Sequence, residues 1–501
     1  MSTVTQLVEV YHSFCKAVED GKEIRVIFLD ISKAFDKVWR KGLLYKLRRC
    51  GINGRLLAWF VDYLTDRMQR VVVNGQTSEW GQTEAGVPQG SVLGPLLFLI
   101  FIDDIVHVVK HCNIRLFADD TCLFIEVDDR EETARLVNED LAAIETWSYS
   151  WLVNFSPSKT KSLTISNKHD VNLNPKVSLM GKNVEEVTSH TYLGLRFANN
   201  LRWKAHIQDV SVKARRKLNL MTPLKMKVDR YTLEVMYKSF VLPSMEYACV
   251  VWGGSFDSDI LKLENIHIDG MRLVTGATAR SNINNVMLEF GGSTMADRIK
   301  QTSLIMFFKI FTGKAPQYLT DILDQINGQR SYVLRNNSKV RTPICRLETY
   351  KRSFFPRAIS LWNELNTEMR AHGCVDSFKS CFKTDVNELQ VLYYCGERWP
   401  AVHHARMRVG CSKLNNDLCS NLHVIDNTAC ACGALYENAE HFFFHCPLYA
   451  DCRQRLLYDI QGIMPITTKN LLFGSSTADI AANERVFNAV HQYIIDTKRF
   501  K

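Results

Sequence analysis

The stretch Phe117-Ala118-Asp119-Asp120 lies at the centre of a largely apolar segment, residues 114–127. The two short apolar runs on either side of it predict a pair of β-strands that fold back in a tight hairpin at 118–120. A second apolar run, residues 26–29, is typical of a buried strand and ends at Asp30. Both patterns therefore put carboxylates at the ends of buried strands, where a charge is costly unless it is paired or binds a metal.

These carboxylates are of the kind that binds divalent cations. One Asp at a strand end is usually only a cap, but three acids in two strand contexts are harder to explain in that way. Mg²⁺ prefers hard oxygen ligands and keeps several of its waters, so two or three carboxylates on rigid backbone are enough to bind it. Enzymes that transfer phosphoryl groups commonly use two such ions. Asp30, Asp119 and Asp120 are therefore the candidate ligands of two Mg²⁺ ions.

Length and composition restrict the class of protein. The chain of 501 residues is long enough for about three domains. Its 46% apolar and 23% charged residues are normal for a soluble globular protein and exclude a disordered chain. The longest apolar run, residues 95–102, is far shorter than the ~20 residues of a membrane span, and the start of the chain has no signal-sequence pattern. We therefore expect an intracellular protein, in the nucleus or the cytoplasm, without a membrane partner.

Local patterns predict an α/β (α+β) layer fold for residues 1–195, in which strands and helices alternate around the hairpin. Ser32 and Asp129 are each positioned to cap a helix, the first running to about residue 50 and the second to about 153. From about 203 to 323 the periodicity is mostly helical. Cysteine and histidine become dense after residue 395, where a small separate module is predicted to begin.

A second group of residues has the composition of a metal site. The fifteen cysteines are scattered and odd in number, which in an unsecreted chain favours free thiols with a metal site over a disulfide framework. Cys430 and Cys432 are followed by His441 and Cys446, a set that suits tetrahedral Zn²⁺, and Gly433 permits the turn that a metal loop needs. Four protein ligands leave no open position, so we expect a structural ion. The alternative is a chance group of free thiols.

Five segments resemble, in the same order, the motifs of the reverse transcriptases of non-LTR retrotransposons, and the Jockey-type branch is the most similar. They are residues 29–38 (LDISKAFDKV), 86–95 (GVPQGSVLGP), 117–120 (FADD), Asn154 with Lys159-Thr160-Lys161, and Tyr192-Leu193-Gly194. Ala-Asp-Asp alone is a weak signal, but five ordered motifs are a specific one. The resemblance extends through the Cys/His group to about residue 455. It implies a right-hand polymerase palm, a helical thumb and connection, and a small C-terminal zinc module.

The resemblance also implies roles for single residues. Asp30 and Asp119 are implied to be the main metal ligands, with Asp120 in support. Phe35 is implied to lie under the sugar of the incoming nucleotide and to exclude a 2′-hydroxyl, the group that distinguishes RNA from DNA. A core aromatic residue on a helix is the alternative for this position.

Three further residues have implied roles. Gln89 and Gly90 are implied to contact nucleotide and template, because glycine lets backbone approach a ligand closely, although ordinary turn chemistry also explains them. Lys159 is implied to assist the departure of pyrophosphate, whereas a lone lysine after a turn is usually only solvated. Arg406, Arg408 and His423 are open between nucleic-acid contacts and plain surface residues.

The net charge of +9 is concentrated in one segment. Residues 196–238 contain eleven Lys and Arg against three acids, a local charge of +8. A solvated helix face explains such a run as well as a phosphate-binding surface does. Its position directly after a polymerase palm favours contact with a nucleic-acid backbone.

These observations together predict four regions. They are a palm with part of the fingers at 1–195, a helical thumb and connection at 196–390, a CCHC-type zinc module at 395–460 and a helical tail at 461–501. The expected reaction is RNA-directed DNA synthesis from dNTPs, with an RNA template and a DNA primer or target DNA. Only 29 residues precede Asp30, so we expect an N-terminally truncated polyprotein fragment that lacks the endonuclease and most of the fingers.

Two alternatives stay open. The chain could be a catalytically dead relic that only binds nucleic acid, or another right-hand polymerase such as an intron maturase or a telomerase. The Cys/His group argues against the second alternative. The sequence leaves the oligomeric state and the insertion target open.

Overall fold

The computed structural model describes residues 2–166, 174–328, 339–382 and 388–501. The chain divides into two compact units. The first consists of residues 1–206, 315–329 and 342–357, and the second of 207–314, 330–341 and 358–501. The first unit thus holds the predicted palm together with two segments of the predicted connection. The finer division into thumb and zinc module remains a prediction.

Strands and helices alternate up to residue 198. The helices are α1 (Thr3–Glu19), α2 (Arg40–Arg49), α3 (Gly54–Leu64), α4 (Leu93–Ile102) and α5 (Arg130–Trp151). The strands are β1 (Glu23–Leu29), β2 (Met68–Gln69), β3 (Val72–Val73), β4 (Gln76–Thr77), β5 (Gly81–Gln82), β6 (Asn113–Phe117), β7 (Asp120–Val127), β8 (Lys161–Ile165), β9 (Ser178–Leu179), β10 (Lys182–Asn183), β11 (Glu185–Glu186), β12 (Ser189–Tyr192) and β13 (Leu195–Ala198).

The rest of the described chain is helical, as the periodicity predicts for residues 203–323. Its helices are α6 (Lys204–Met221), α7 (Arg230–Met236), α8 (Leu242–Glu246), α9 (Cys249–Trp252), α10 (Asp257–Thr275), α11 (Ile283–Phe290), α12 (Met295–Phe311), α13 (Gln317–Asn327), α14 (Glu348–Lys351), α15 (Phe354–Glu364), α16 (Thr367–Arg370), α17 (Val375–Ser380), α18 (Arg398–Arg408), α19 (Ala450–Ile460), α20 (Thr468–Phe473) and α21 (Ile480–Asp496). Within the part of the chain that the structure describes, no helix combines the length and the apolar character that crossing a membrane requires.

A five-stranded sheet in the order β11-β8-β1-β7-β6 forms the centre of the first unit. β1 pairs antiparallel with β7 over its whole length, and the last pair is Leu29↔Thr121. β6 and β7 form the predicted hairpin, in which Phe117 pairs with Asp120. This register places the end of β1, which Asp30 follows, next to the tip of the hairpin.

Both faces of the sheet are covered by helices. Ile27 and Leu29 of β1 belong to the core that includes buried residues of α4 and α5. On the other face, Phe124 of β7 makes a T-shaped contact with Phe14 of α1, with ring centroids 5.5 Å apart. Every residue of β1 is buried, and the apolar run 26–29 within it provides apolar side chains to both faces of the sheet.

The two predicted helix caps have different outcomes. The Asp129 side chain accepts a hydrogen bond from the Glu132 backbone N–H at 2.8 Å and caps α5, as predicted. The cap at Ser32 is wrong, because the residues after it form turns and α2 begins only at Arg40. The Ser32 N–H donates instead to the Asn154 carbonyl at 2.8 Å. The carbonyls of Phe35 and Val38, which a helix from Ser32 would need for its own bonds, accept from the N–H groups of Val87 and Gly86, so tertiary bonds have replaced helical ones.

The C-terminal helices of the second unit share one core. Tyr493 of α21 donates a hydrogen bond from its hydroxyl to the Phe442 carbonyl at 2.6 Å. The buried apolar residues of this core are Met407, Leu414, Phe442, Phe443, Leu456, Ile460, Leu471, Leu472, Val486, Val490, Tyr493, Ile494 and Phe500. The predicted tail at 461–501 thus completes the core of the predicted zinc module and is not a separate appendage.

A buried ion-pair network joins three helices of the second unit. Glu289 of α11 accepts hydrogen bonds from Arg408 of α18 at 2.8 Å and from Arg230 of α7 at 2.5 Å. The side chains of Glu289 and Arg408 are each 2% exposed. Burial raises the pKa of the Glu289 carboxyl, but the charges of Arg408 and Arg230 outweigh it and lower the pKa overall. The carboxylate is therefore the counter-charge on which both guanidinium groups depend.

We expect Glu289→Gln to lower the free energy of unfolding by about 3–5 kcal/mol, because it leaves two buried guanidinium groups without a counter-charge. Urea denaturation followed by circular dichroism measures the loss. Asp20→Asn, which removes an exposed pair with Lys16, is the control and costs less than about 1 kcal/mol.

The same prediction has a pH dependence. Because the folded-state pKa of Glu289 is lowered, its contribution is present above the unfolded pKa of about 4.3 and is lost as the pH falls through the folded value. The difference between wild type and Glu289→Gln should therefore shrink in acid. A difference that grew in acid would contradict the ionised network.

Candidate active site and metal centre

The tip of the β6–β7 hairpin is a two-residue turn, Ala118-Asp119. Ala118 has a φ of +51°, in the left-handed region that side chains rarely adopt. Such a conformation costs about 1–3 kcal/mol and persists only where the surroundings fix it. The paired strands therefore hold Asp119 and Asp120 at a defined position at the end of the buried sheet.

Asp30 lies next to this tip. Continuing the β1–β7 register by one position places Asp30 opposite Asp120, and the Asp30 carbonyl accepts a hydrogen bond from the Ser156 N–H at 2.8 Å. The Asp30 Oδ2 atom is buried and has no hydrogen-bond donor among the described residues. Lys159 Nζ is 3.4 Å from that oxygen, as an ion pair without hydrogen-bond geometry. A buried carboxylate oxygen of this kind is suited to a cation.

The three acids are coupled electrostatically. Burial raises the pKa of Asp120, and the negative charges of Asp119 and Asp30 raise it further. The carboxylates therefore lie close enough to disfavour one another's charge, which a divalent cation would neutralise. Among the described residues, the group of at least three potential metal ligands whose atoms converge is a Cys/His set, and the three carboxylates are not part of such a group.

The Gly- and Pro-rich motif that begins at Gly86 forms a loop, and this loop is docked on the turn that follows Asp30. Gly86 N–H donates to the Val38 carbonyl and Val87 N–H donates to the Phe35 carbonyl, each at 2.9 Å. Gly86 has a φ of +89°, and its face touches the backbone of this turn so closely that a side chain has no room. The loop and the turn therefore form one rigid surface beside the carboxylates.

Gln89 and Gly90 lie at the exposed end of the same loop. Gln89 Nε2 donates to Asp36 Oδ1 at 2.8 Å. Gly90 has a φ of +80° and no atom within 4 Å of the place where a Cβ would stand. This end of the loop is therefore held by one side-chain bond and leaves an open backbone face, which a ligand can approach.

Arg40 fixes the other end of the loop, and sequence reasoning missed it. Its guanidinium donates to the carbonyls of Thr83 at 2.6 Å, Ala85 at 2.9 Å and Gly86 at 3.0 Å. A cation is unfavourable in the first turn of a helix, and Arg40 is the first residue of α2. That unfavourable position was the available signal of a role outside the helix.

Phe35 lies on the turn after Asp30 and not on a helix, contrary to the alternative considered for it. Its ring stacks on Phe98 of α4, with centroids 4.7 Å apart and an interplanar angle of 26°. It is only partly buried against the core. The structure therefore shows a ring fixed by packing beside the loop, and its contact with a sugar remains a prediction.

The second predicted site is fully assembled. Cys430, Cys432, His441 and Cys446 have ligand atoms that all lie within 4.8 Å of one another. Cys430 Sγ and Cys446 Sγ are 3.7 Å apart, and Cys432 Sγ is 3.3 Å from His441 Nε2. Tetrahedral Zn²⁺ with bonds of about 2.3 Å keeps two sulfurs about 3.8 Å apart, whereas a disulfide requires about 2.05 Å. The donor set and its spacing fit zinc.

Two local features build this centre. Gly433 has a φ of +95°, and its N–H donates to the Cys430 carbonyl at 3.0 Å, which closes the tight Cys-x-Cys turn. Residues His441–His445 form one π-helical turn, in which the Cys446 N–H donates to the His441 carbonyl at 2.8 Å. Such wide turns are frequent at functional sites, and this one brings the third and fourth ligands together.

The thiols of the centre differ in acidity. The Ala434 backbone N–H lowers the pKa of Cys432, whereas burial raises the pKa of Cys446 and raises that of Cys430 to about 12. One thiol is therefore ready to ionise, and the other two require a cation beside them to do so. Arg453 Nη1 donates to the Cys446 carbonyl at 2.9 Å and fixes the last ligand's backbone.

Residues 3–197, which contain the carboxylates and the docked loop, match the family described as Reverse transcriptase (RNA-dependent DNA polymerase). Residues 3–197 are a reverse transcriptase domain. The match supports the predicted polymerase palm, whose central sheet lies within these residues.

Named relatives extend the match beyond the domain. The chain is 30% identical over 285 residues to the RNA-directed DNA polymerase from the mobile element jockey of Drosophila melanogaster, covering 55% of this chain and 31% of that protein. It is 27% identical over 281 residues to the probable RNA-directed DNA polymerase from transposon X-element of the same fly, with the same two coverages. Both matches show that the chain spans about a third of the length of these relatives.

Two weaker likenesses cover more of the chain. A putative 115 kDa protein in the type-1 retrotransposable element R1DM of Drosophila melanogaster is 21% identical over 445 residues, 87% of this chain and 40% of that protein. A structure of telomerase from Candida albicans with a fragment of telomeric RNA matches at a TM-score of 0.28 and 12% identity, over 64% of this chain and 53% of that one. The second likeness is too low to bear on the fold.

The sequence leaves the roles of Arg406, Arg408 and His423 open, and these three residues lie in different environments. Arg408 is buried in the pair with Glu289, so it is neither a surface residue nor a nucleic-acid contact. His423 is exposed, with its ring Nδ1 3.0 Å from the Cys419 carbonyl. Arg406 is half-buried and donates from Nε to the Gly276 carbonyl at 2.8 Å.

We expect Gly86→Ala to destabilise the reverse transcriptase domain by about 2–4 kcal/mol, from left-handed strain plus a clash. The new Cβ would lie 2.7 Å from the Asp36 carbonyl oxygen and 2.9 Å from that of Phe35. Gly90→Ala is the matched control, because its φ is similar but it has no neighbour within 4 Å, which leaves only about 1–2 kcal/mol of strain. Urea denaturation measures both, and equal losses would show that loop docking does not require Gly86.

Proposed function

We propose that this chain carries out RNA-templated DNA synthesis, in which a primer 3′-hydroxyl attacks a deoxynucleoside triphosphate at Asp30 and Asp119. The observation that carries the proposal is the buried Oδ2 of Asp30, which has no hydrogen-bond donor among the described residues, beside the Ala118-Asp119 turn, in which Ala118 has a positive φ. The relatives named RNA-directed DNA polymerases support it. Because the chain spans only 31% of the jockey polymerase, the activity of the whole protein is part of the proposal.

In this proposal Asp30 and Asp119 hold two Mg²⁺ ions and Asp120 supports them. The ions supply neutralisation of the charge on the transferred phosphoryl group and on the leaving pyrophosphate. Lys159, whose Nζ is 3.4 Å from Asp30 Oδ2, holds a proton where the leaving group departs. Its side chain is 67% exposed, so it can move from the carboxylate to a substrate.

The docked loop and the turn provide the nucleotide site. Phe35, fixed by its stacking on Phe98, lies under the sugar and excludes a 2′-hydroxyl. Gln89 and the open face of Gly90 contact the nucleotide and the template. The partners are therefore an RNA template, a DNA primer or target DNA, and dNTPs, at a location in the nucleus or the cytoplasm.

The Cys/His centre holds a structural Zn²⁺ in this proposal. Its four protein donors leave no position for a substrate, so its role is to fold the C-terminal module, which then contacts nucleic acid. The donor set fits zinc because the Sγ atoms of Cys430 and Cys446 are 3.7 Å apart.

The polymerase proposal is tested by primer extension with the purified chain, a heteropolymeric RNA template, a DNA primer, dNTPs and Mg²⁺. We expect Asp119→Asn to reduce extension by at least about 100-fold, because it removes a carboxylate that neutralises developing charge. Asp128→Asn is the control: it makes the same change at the far end of β7, on a side chain that is 82% exposed, and leaves extension unchanged.

The outcomes of this assay separate the two functions. Primer extension by Asp119→Asn at the wild-type level would contradict the assignment of the active site. RNA binding by the wild type without any extension would select the alternative, a retroelement relic that only binds nucleic acid.

The zinc proposal is tested by metal analysis of the purified, folded chain. We expect one zinc per chain in the wild type and in Cys419→Ser, which changes a cysteine outside the cluster. Cys446→Ser removes a buried ligand and should lose the metal and lower the melting temperature, since structural zinc contributes directly to folding. Folded wild-type protein without zinc would remove the site.

A further inference from the structure

A cavity of about 450 Å³ lies within the second unit and is lined by the ends of α6, α10 and α18. Asp269 is the one carboxylate among its described lining residues. Five cations also line it, which together with Asp269 leave a formal charge of +4: Arg215, Lys225, Arg272, Arg398 and Arg406. A concave site with such an excess of positive charge favours an anion.

Backbone carbonyls hold two of the arginines in place. Arg398 donates from Nε to the Lys225 carbonyl at 2.9 Å and from Nη2 to the Leu273 carbonyl at 3.1 Å. Arg406 donates from Nε to the Gly276 carbonyl at 2.8 Å, and neither of its Nη atoms has a partner among the described residues. The guanidinium planes are thus fixed while some of their N–H groups stay available.

Capping of α10 explains part of this arrangement. The helix ends at Thr275, and cations near its last carbonyls interact favourably with its dipole. Capping does not account for the number of cations around the cavity. Arg215 and Arg272 both pair with the single carboxylate of Asp269. Arg272 Nε is buried and has no hydrogen-bond partner among the described residues. Burial and the charges of Arg230 and Arg406 lower the pKa of Arg398 to about 10, a sign that the cations repel one another.

We propose that this cavity binds a phosphate group, with Arg215 and Arg406 as principal donors. Planar guanidinium groups match two phosphate oxygens at once, which an ammonium group cannot do. The assignment of that phosphate to the backbone of an RNA strand rests on the proposed function; a free pyrophosphate has the same chemistry. Among the described residues that line the cavity, none belongs to the reverse transcriptase domain at 3–197.

The test measures binding of a fluorescein-labelled single-stranded RNA by anisotropy, with the full chain and without added Mg²⁺ or chelator, so that a structural zinc ion stays bound. We expect Arg215→Gln and Arg406→Lys each to weaken binding about tenfold, because each removes a charge-assisted hydrogen bond. Arg216→Gln is the matched control: the same charge change on the next residue of α6, which is exposed and does not line the cavity. Equal losses in Arg215→Gln and Arg216→Gln would mean general electrostatics and would overturn the site.

A gain of binding provides a test that misfolding cannot imitate. Asp269→Asn removes the one carboxylate among the described lining residues and releases Arg215 and Arg272, whose Nη1 atoms lie 2.6 Å and 3.4 Å from its oxygens. We expect it to tighten RNA binding several-fold and to steepen the dependence of affinity on salt. Unchanged or weaker binding by folded Asp269→Asn protein would count against the proposal.

Calorimetric titration with inorganic pyrophosphate distinguishes the two sources of phosphate. Variants that lose RNA affinity identify a strand backbone, whereas variants that lose only pyrophosphate affinity identify a free anion. Variants that lose neither overturn the site. Because the binding assay contains no Mg²⁺ and Asp119→Asn should bind RNA like the wild type, failure of this site is distinguishable from failure of the polymerase assignment.

Discussion

The antiparallel pairing of β1 with β7 is the interaction on which the reverse transcriptase site depends. Its last pair, Leu29↔Thr121, puts Asp30 one position beyond the sheet and beside the turn that carries Asp119 and Asp120. A slip of one residue would turn every side chain of β1 to the opposite face and disrupt its packing against the helices on both faces. The contacts that bury both faces of β1 therefore also set the position of the carboxylates. Stability and the placement of the carboxylates depend on one register.

Two predicted helix caps, one of which forms and one of which does not, show what the sequence can and cannot predict. Asp129 caps α5 because its partner, the Glu132 N–H, is three residues away and depends on nothing else in the fold. Ser32 carries the same kind of signal and fails, because the carbonyls of Phe35 and Val38 accept hydrogen bonds from the N–H groups of Val87 and Gly86, in a distant segment of the chain. Like the Asp129 cap, the hairpin was predictable from local sequence, namely the apolar runs that flank its turn. What escapes local reasoning is the competition for backbone groups by distant segments, and this competition is strongest around the site.

For the candidate metal centres, too, the sequence predicts what is local and misses what distant segments contribute. The four candidate zinc ligands lie within a short stretch, so their residue types and spacing predict the set, and the turn at Gly433 has the positive φ that the glycine suggested. The core that supports them could not be read from spacing, because α21 closes it from the end of the chain. Arg40 was missed for a related reason: its carbonyl partners at 83–86 lie in a different segment, and only its unfavourable place at a helix start hinted at them.

The basic segment at 196–238 is not the uniform charged face that its composition suggests. Arg216 is exposed, Arg215 lines the cavity, and Arg230 forms a buried ion pair with Glu289. Arg408 anchors α18 through the same carboxylate, and Arg406, two residues earlier, faces elsewhere because residues two apart do not share a helix face. The buried network therefore fixes the helix that presents Arg406 to the cavity. Cations held in place before a ligand arrives lose little freedom on binding it, so a stabilising network and a phosphate site on one helix are mutually consistent.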